Sequence, residues 1–216
     1  MRTASAIAIL GVLAIQACNL TEPTEPQAKA AARWSQCSPC HGDDGHGKLI
    51  QAAPPIASLP AWYVEAQLRN YRGQSPLRGF HFDDAPGLRM KPMAETLPED
   101  MIKPMAEYVA SLPPAGNVDA TISGYAPNAA GTFALCVACH GADGSGNPAL
   151  KAPPIAGQPD WYVYEQLRKY KSGVRGSNPN DVAGGQMRAI ALGLGDDKAL
   201  HDLARYVADL PVKRPH

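Results

Sequence analysis

The chain has 216 residues, twenty basic side chains against twenty acidic ones, and no net charge. Such balance excludes the strongly basic surface that nucleic acid requires, and an apolar content of 45% excludes a disordered chain. The length fits one large domain or two of about a hundred residues. Aromatics are scarce at 6%, whereas 20 glycines and 21 prolines predict short helices joined by stiff loops.

The chain begins with Met1-Arg2 and an apolar run over residues 4–15. That run is too short to cross a bilayer, which takes about twenty residues, so residues 1–17 read as an export signal. Ile15-Gln16-Ala17-Cys18 resembles a bacterial lipobox. Residues 18–28 then form a polar, proline-punctuated tether, with a lipid on Cys18 holding the chain to a membrane. Plain cleavage after Ala17, leaving a free thiol, is the alternative.

Residues 27–40 are expected to form a helix that leads into Cys37-Ser38-Pro39-Cys40-His41. A second helix over 128–139 leads into Cys136-Val137-Ala138-Cys139-His140. Cys-x-x-Cys-His is the attachment pattern of c-type haem. Thiols three positions apart lie one helical turn apart, so each can add to one vinyl group. The following histidine is carried beneath the iron as its proximal ligand. A zinc site or a redox-active cysteine pair would explain one copy. Two copies, each followed by a methionine at similar distance, point to two covalently bound haem c groups. The haems would also fill core space that the few aromatic side chains leave.

The two halves repeat throughout. Residues 37–62 align with 136–161 at an offset of 99 residues, including Ala53-Pro54-Pro55-Ile56 against Ala152-Pro153-Pro154-Ile155. After a two-residue loss, Arg78-Gly79 meets Arg175-Gly176, and Met90 meets Met187. Three helices are expected in each half. The second runs over 61–72 and 160–171, and the third from near Pro98 and Gly195 to Leu112-Pro113 and Leu210-Pro211. The expected divisions are a first domain over 29–113, a linker over 114–127, and a second domain over 128–213.

Methionine opposite histidine would close the iron site and raise its reduction potential. Met187 is the only methionine in the second half, and its repeat partner is Met90. Met93 falls opposite Ile190 and is the fallback, while Met101 and Met105 read as core filling. His46, His81, His201 and His216 have no equivalent histidine in the other half and read as surface residues. A ligating imidazole usually gives its other N–H to a carbonyl, a role that Pro54 and Pro153 suit. Arg78 and Arg175, in the loops before the methionines, either pair with propionates or are solvated.

By these motifs, with Tyr63, Gln67, Tyr162 and Gln166, the chain resembles a dihaem cytochrome c of the cytochrome c4 type. The resemblance implies an all-α fold of two tandem class I cytochrome c domains about a pseudo-twofold axis. It implies an aromatic pair at each crossing of first and last helix, where Tyr108 and Tyr206 match the family tyrosine, with Trp34 and Phe133 preceding the haem motifs. Propionates would face one another across the interface. Ser58-Leu59 departs from Gly157-Gln158 there. The implied role is a periplasmic one-electron carrier without enzymatic activity. A quinol-oxidising complex or dehydrogenase would be its donor and a terminal oxidase its acceptor. A subunit of a larger membrane redox complex and a dihaem peroxidase are the competing readings.

Overall fold

The computed structural model describes residues 24–74, 76–116, 120–123 and 129–212. The expected signal, Cys18, His216 and much of the interdomain segment lie outside the described residues. Among those described, the chain is helical, with only two isolated β-bridges, Lys48–Ala53 and Asn147–Ala152.

In the first half, α1 spans Glu25–Arg33, α2 Ser38–His41, α3 Ala61–Asn70, α4 Ala85–Thr96 and α5 Glu99–Ser111. In the second, α6 spans Ala129–His140, α7 Asp160–Ser172, α8 Val182–Leu192 and α9 Asp197–Ala208. The helix expected over 27–40 is broken: a 3-10 turn, Trp34–Gln36, separates α1 from α2. Pro39 is the reason, since its ring opposes the carbonyl four residues back and it has no N–H to donate. Ala138 stands in its place in α6, which runs unbroken through its haem motif.

Among the described residues the first half therefore has five helices and the second four, against the three expected in each. α4 and α8, which carry Met90 and Met187, replace what read as loop. Their apolar periodicity is weak, and α4 contains Pro92 while α8 contains Gly184-Gly185. Both nevertheless begin with a cap visible in retrospect. Asp84 accepts from Gly87 N at 3.0 Å, and Asp181 from Gly184 N at 2.8 Å.

α5 and α9 are the central helices. α1 and α3 pack on α5, and α6 and α7 pack on α9. Ile102, Met105 and Val109 form one core with Trp34, Val64 and Met101; Leu200, Leu203 and Val207 form the other with Phe133 and Leu167. Met101 and Met105 are thus core residues, as expected. The helix crossings carry the aromatic pairs: Trp34 meets Tyr108 with centroids 5.6 Å apart, and Phe133 meets Tyr206 at 5.1 Å.

The chain between the halves is attached to the second. Asp160, 1% exposed, accepts hydrogen bonds from Thr121 N (2.9 Å), Thr121 Oγ1 (2.7 Å), Ile122 N (2.8 Å) and Trp161 N (2.7 Å). Burial opposes ionisation, but the donors from Ile122, Thr121 and Trp161 outweigh it and hold the carboxyl below its ordinary value. A depressed folded value contributes stability above the unfolded value, about 3.9, that is lost as pH falls through the folded one. Asp160→Ala, which installs the first half's Ala61, is expected to cost about 2–3 kcal/mol at neutral pH. In chemical denaturation the gap from wild type should shrink below about pH 4. A gap independent of pH would refute this account.

Candidate haem sites

His41 ends α2 and His140 ends α6. Each ring gives its Nδ1–H to a proline carbonyl: His41 to Pro54 O at 3.0 Å, and His140 to Pro153 O at 2.8 Å. That bond selects the tautomer with a free lone pair on Nε2. Burial pushes both imidazoles below their ordinary pKa, against a smaller upward pull from the carbonyls, so they stay neutral near pH 7. Burial likewise raises the Cys37 and Cys136 thiols.

A glycine makes each histidine–proline contact possible. Gly47 N donates to His41 O at 2.7 Å and Gly146 N to His140 O at 2.8 Å. At φ +79° and +82°, these residues lie flat against the backbone of Pro54-Pro55 and Pro153-Pro154.

Arg78 and Arg175 are buried, 8% and 7% exposed, which removes the solvated-loop alternative. Arg78 donates from Nη1 to Gln67 Oε1 at 2.7 Å and lies 4.6 Å over the Tyr71 ring. Arg175 donates to Gln166 Oε1 at 2.5 Å and lies 4.3 Å over Tyr170. Both Nε atoms are buried without a hydrogen-bond partner, as is Trp62 Nε1. The two clusters meet between the halves: burial, then the neighbouring Tyr162, raises the Tyr63 phenol, while Arg175 and Arg78 act on it in the opposite sense.

Buried guanidinium groups with unmet donors need a carboxylate. Haem propionates are carboxylates, so this arrangement fits the group. A zinc site fits less well: among the described residues, no three His, Cys, Asp or Glu side chains gather as a metal site.

Met90 and Met187 are half-buried, and Met187 packs against the core of the second half. Met93 is 42% exposed. The other described histidines are engaged elsewhere. His46 contacts Pro113 O at 3.1 Å, His81 stacks on Phe82, and His201 lies against Tyr164.

The cytochrome c family profile matches residues 128–211, the second half of the repeat. A solved cytochrome c4 from Acidithiobacillus ferrooxidans superposes with a TM-score of 0.65 at 28% identity, covering 82% of this chain and 99% of that one. The chain is a dihaem cytochrome c of the cytochrome c4 type. As a cytochrome c4 it has two tandem class I domains and carries two covalent haem c groups. It belongs to an electron-transfer family.

Two other likenesses are to proteins named for thiosulfate dehydrogenase. The thiosulfate dehydrogenase electron acceptor of Stutzerimonas stutzeri (strain A1501) is 28% identical over 187 residues, 82% of this chain and 80% of that protein. The thiosulfate dehydrogenase TsdBA of Marichromatium purpuratum superposes with a TM-score of 0.67 at 30% identity. This cytochrome c4 covers only 40% of that longer chain while 88% of its own length is matched.

Sequence reading named Gln67 and Gln166 from the resemblance but not what they do, which is to hold the buried arginines. Asp84, Asp160 and Lys169 were missed. Each departs from the repeat or caps a helix that the repeat concealed.

Proposed function

We propose that this protein is a periplasmic one-electron carrier in a respiratory chain. It takes electrons from a dehydrogenase or a quinol-oxidising complex and passes them to a terminal oxidase. What carries the reading is the pairing of two equivalent sites, each with a proline-held histidine and a buried arginine, that meet between the halves. In this reading residues 29–113 and 128–213 are the two haem domains, joined by 114–127. Residues 1–17 direct export, and the segment from Cys18 to the start of α1 at Glu25, shorter than the 18–28 expected, tethers the body to a lipid on Cys18. No described helix is long and apolar enough to cross a membrane.

Cys37 and Cys40 hold the first haem through thioethers, and Cys136 and Cys139 the second. His41 and His140 present Nε2 to the iron, with Pro54 and Pro153 fixing the rings. Met90 and Met187 would supply the thioether ligands. Each haem c supplies a one-electron ferric–ferrous couple when bound. Ligation by a methionine in each half would disfavour a peroxidase, which needs an open site. Arg78 and Arg175 compensate propionate charge and exclude water between the halves, and as buried cations they favour the reduced state.

The name of the Stutzerimonas relative supports a dehydrogenase as donor. In stopped-flow mixing, the oxidised protein is expected to accept two electrons per chain from a thiosulfate dehydrogenase supplied with thiosulfate, and none from thiosulfate alone. The reduced protein should then be oxidised by membranes that contain a terminal oxidase. Rapid turnover of peroxide by the isolated protein would overturn the carrier reading.

A further inference from the structure

The two halves differ sharply at one buried point. Lys169 of α7, 9% exposed, crosses to the first half and places Nζ 2.9 Å from Asp84 Oδ1, itself 2% exposed. Asp84 is the residue that caps α4, the helix of Met90. The main chain of Lys169 serves its own half, since its carbonyl accepts from Arg175 N at 2.9 Å. One residue therefore joins the arginine loop of the second half to the methionine helix of the first.

Among the described residues no reciprocal salt bridge runs in the other direction. The repeat partner of Lys169 is Asn70, and Asp181, which caps α8, makes no salt bridge among the described residues. α8 instead packs along α7 of its own half. The far ends of the two helices are anchored alike. Arg72 donates to Leu97 O at 2.6 Å and to Ala94 O, and Lys171 donates to Leu194 O at 2.5 Å. Only the starts differ: α4 begins on a carboxylate neutralised by the opposite half.

We infer that the Lys169–Asp84 pair is a one-sided control by which the second half sets the reduction potential of the first haem site. The inference rests on the reading of Met90 as that site's axial ligand. Lys169 and Asp84 are positioning residues that act through α4 and through their charge.

The signature is a reversal of sign. Lys169→Met leaves a buried carboxylate beside α4, which favours ferric iron, so the first site's potential falls. Asp84→Asn leaves a buried cation, which favours ferrous iron, so that potential rises. The double variant leaves neither charge and returns toward wild type. Each single variant should change the ferric-to-ferrous ratio of the first site at fixed potential about tenfold, ~59 mV for a one-electron couple. The second site should change less than threefold.

The measurement is a spectroscopic redox titration of the holoprotein, with the first site identified as the couple displaced in Met90→Ala. Equal shifts at both sites, shifts of the same sign in both single variants, or first-site changes below threefold would overturn the inference. A merely structural tie would lower the potential in both. Failure of the ligand reading is separate: Met90→Ala would then displace neither couple, whatever the Lys169 and Asp84 variants do.

Discussion

Met187→Ala is expected to abolish the far-red charge-transfer absorbance of the oxidised second site and to lower its reduction potential, with the first site unchanged. Loss of a soft thioether removes the ligand that favours ferrous iron. The shift should be on the order of 0.1 V or more, within the ~0.8 V range that axial ligands command. Met187 has no substitute in its half, because the remaining methionines all precede residue 106. It also packs against the core of the second half. Met90→Ala should act in the same way on the first site. Met93→Ala should spare both sites, since that side chain is exposed on α4. Retention of the absorbance at full intensity in Met187→Ala would exclude the proposed ligation.

The second large effect is structural in origin and reaches the iron ligand through the backbone. A methyl group at Gly146 would lie 2.6 Å from Pro153 C and Pro154 N and 2.8 Å from Ala152 O. All three are main-chain atoms, so no side chain can swing aside. The left-handed conformation adds about 1–2 kcal/mol for any L-residue. Gly146→Ala is therefore expected to cost more than about 4 kcal/mol, at the extreme of single substitutions. It should also push the Pro153 carbonyl away from His140 Nδ1 and reduce haem retained by the second site. Gly73→Ala is the control. Its φ is +87°, but no atom lies within 4 Å of the added methyl, so only the conformational cost of about 1–2 kcal/mol applies. Equal losses in the two variants, by thermal unfolding and haem content, would refute the steric account.

Part of each haem site was legible in the chain. The haem-motif histidines and their prolines recur at identical spacing, and the structure places each pair within hydrogen-bond distance. Alignment of the halves paired Met90 with Met187, although the helices that carry them were not legible. Periodicity detects a helix that buries one stripe against other side chains. α4 and α8 carry proline or paired glycines and show little of that pattern. The arginines were ambiguous for a related reason. An arginine in a glycine-rich loop looks solvated until the tyrosine beneath it and the glutamine beside it are located, and both belong to the preceding helix or its end. Lys169 and Asp160 had no signal, because a repeat reveals what the halves share, and these residues matter where the halves differ.

The clamp at Asp160 also bears on how a duplicated chain assembles. Two halves with one pattern risk exchanging helices during folding, a hazard of tandem domains. Thr121 and Ile122 bind a carboxylate that only α7 offers, since α3 begins with Ala61. The entering segment is thereby matched to one of two similar helices. The aromatic crossings reinforce the match, with Trp34 against Tyr108 in one half and the smaller Phe133 against Tyr206 in the other. An exchanged pair would overfill one crossing and leave a void in the other. Small departures from the repeat thus direct each helix to its own half.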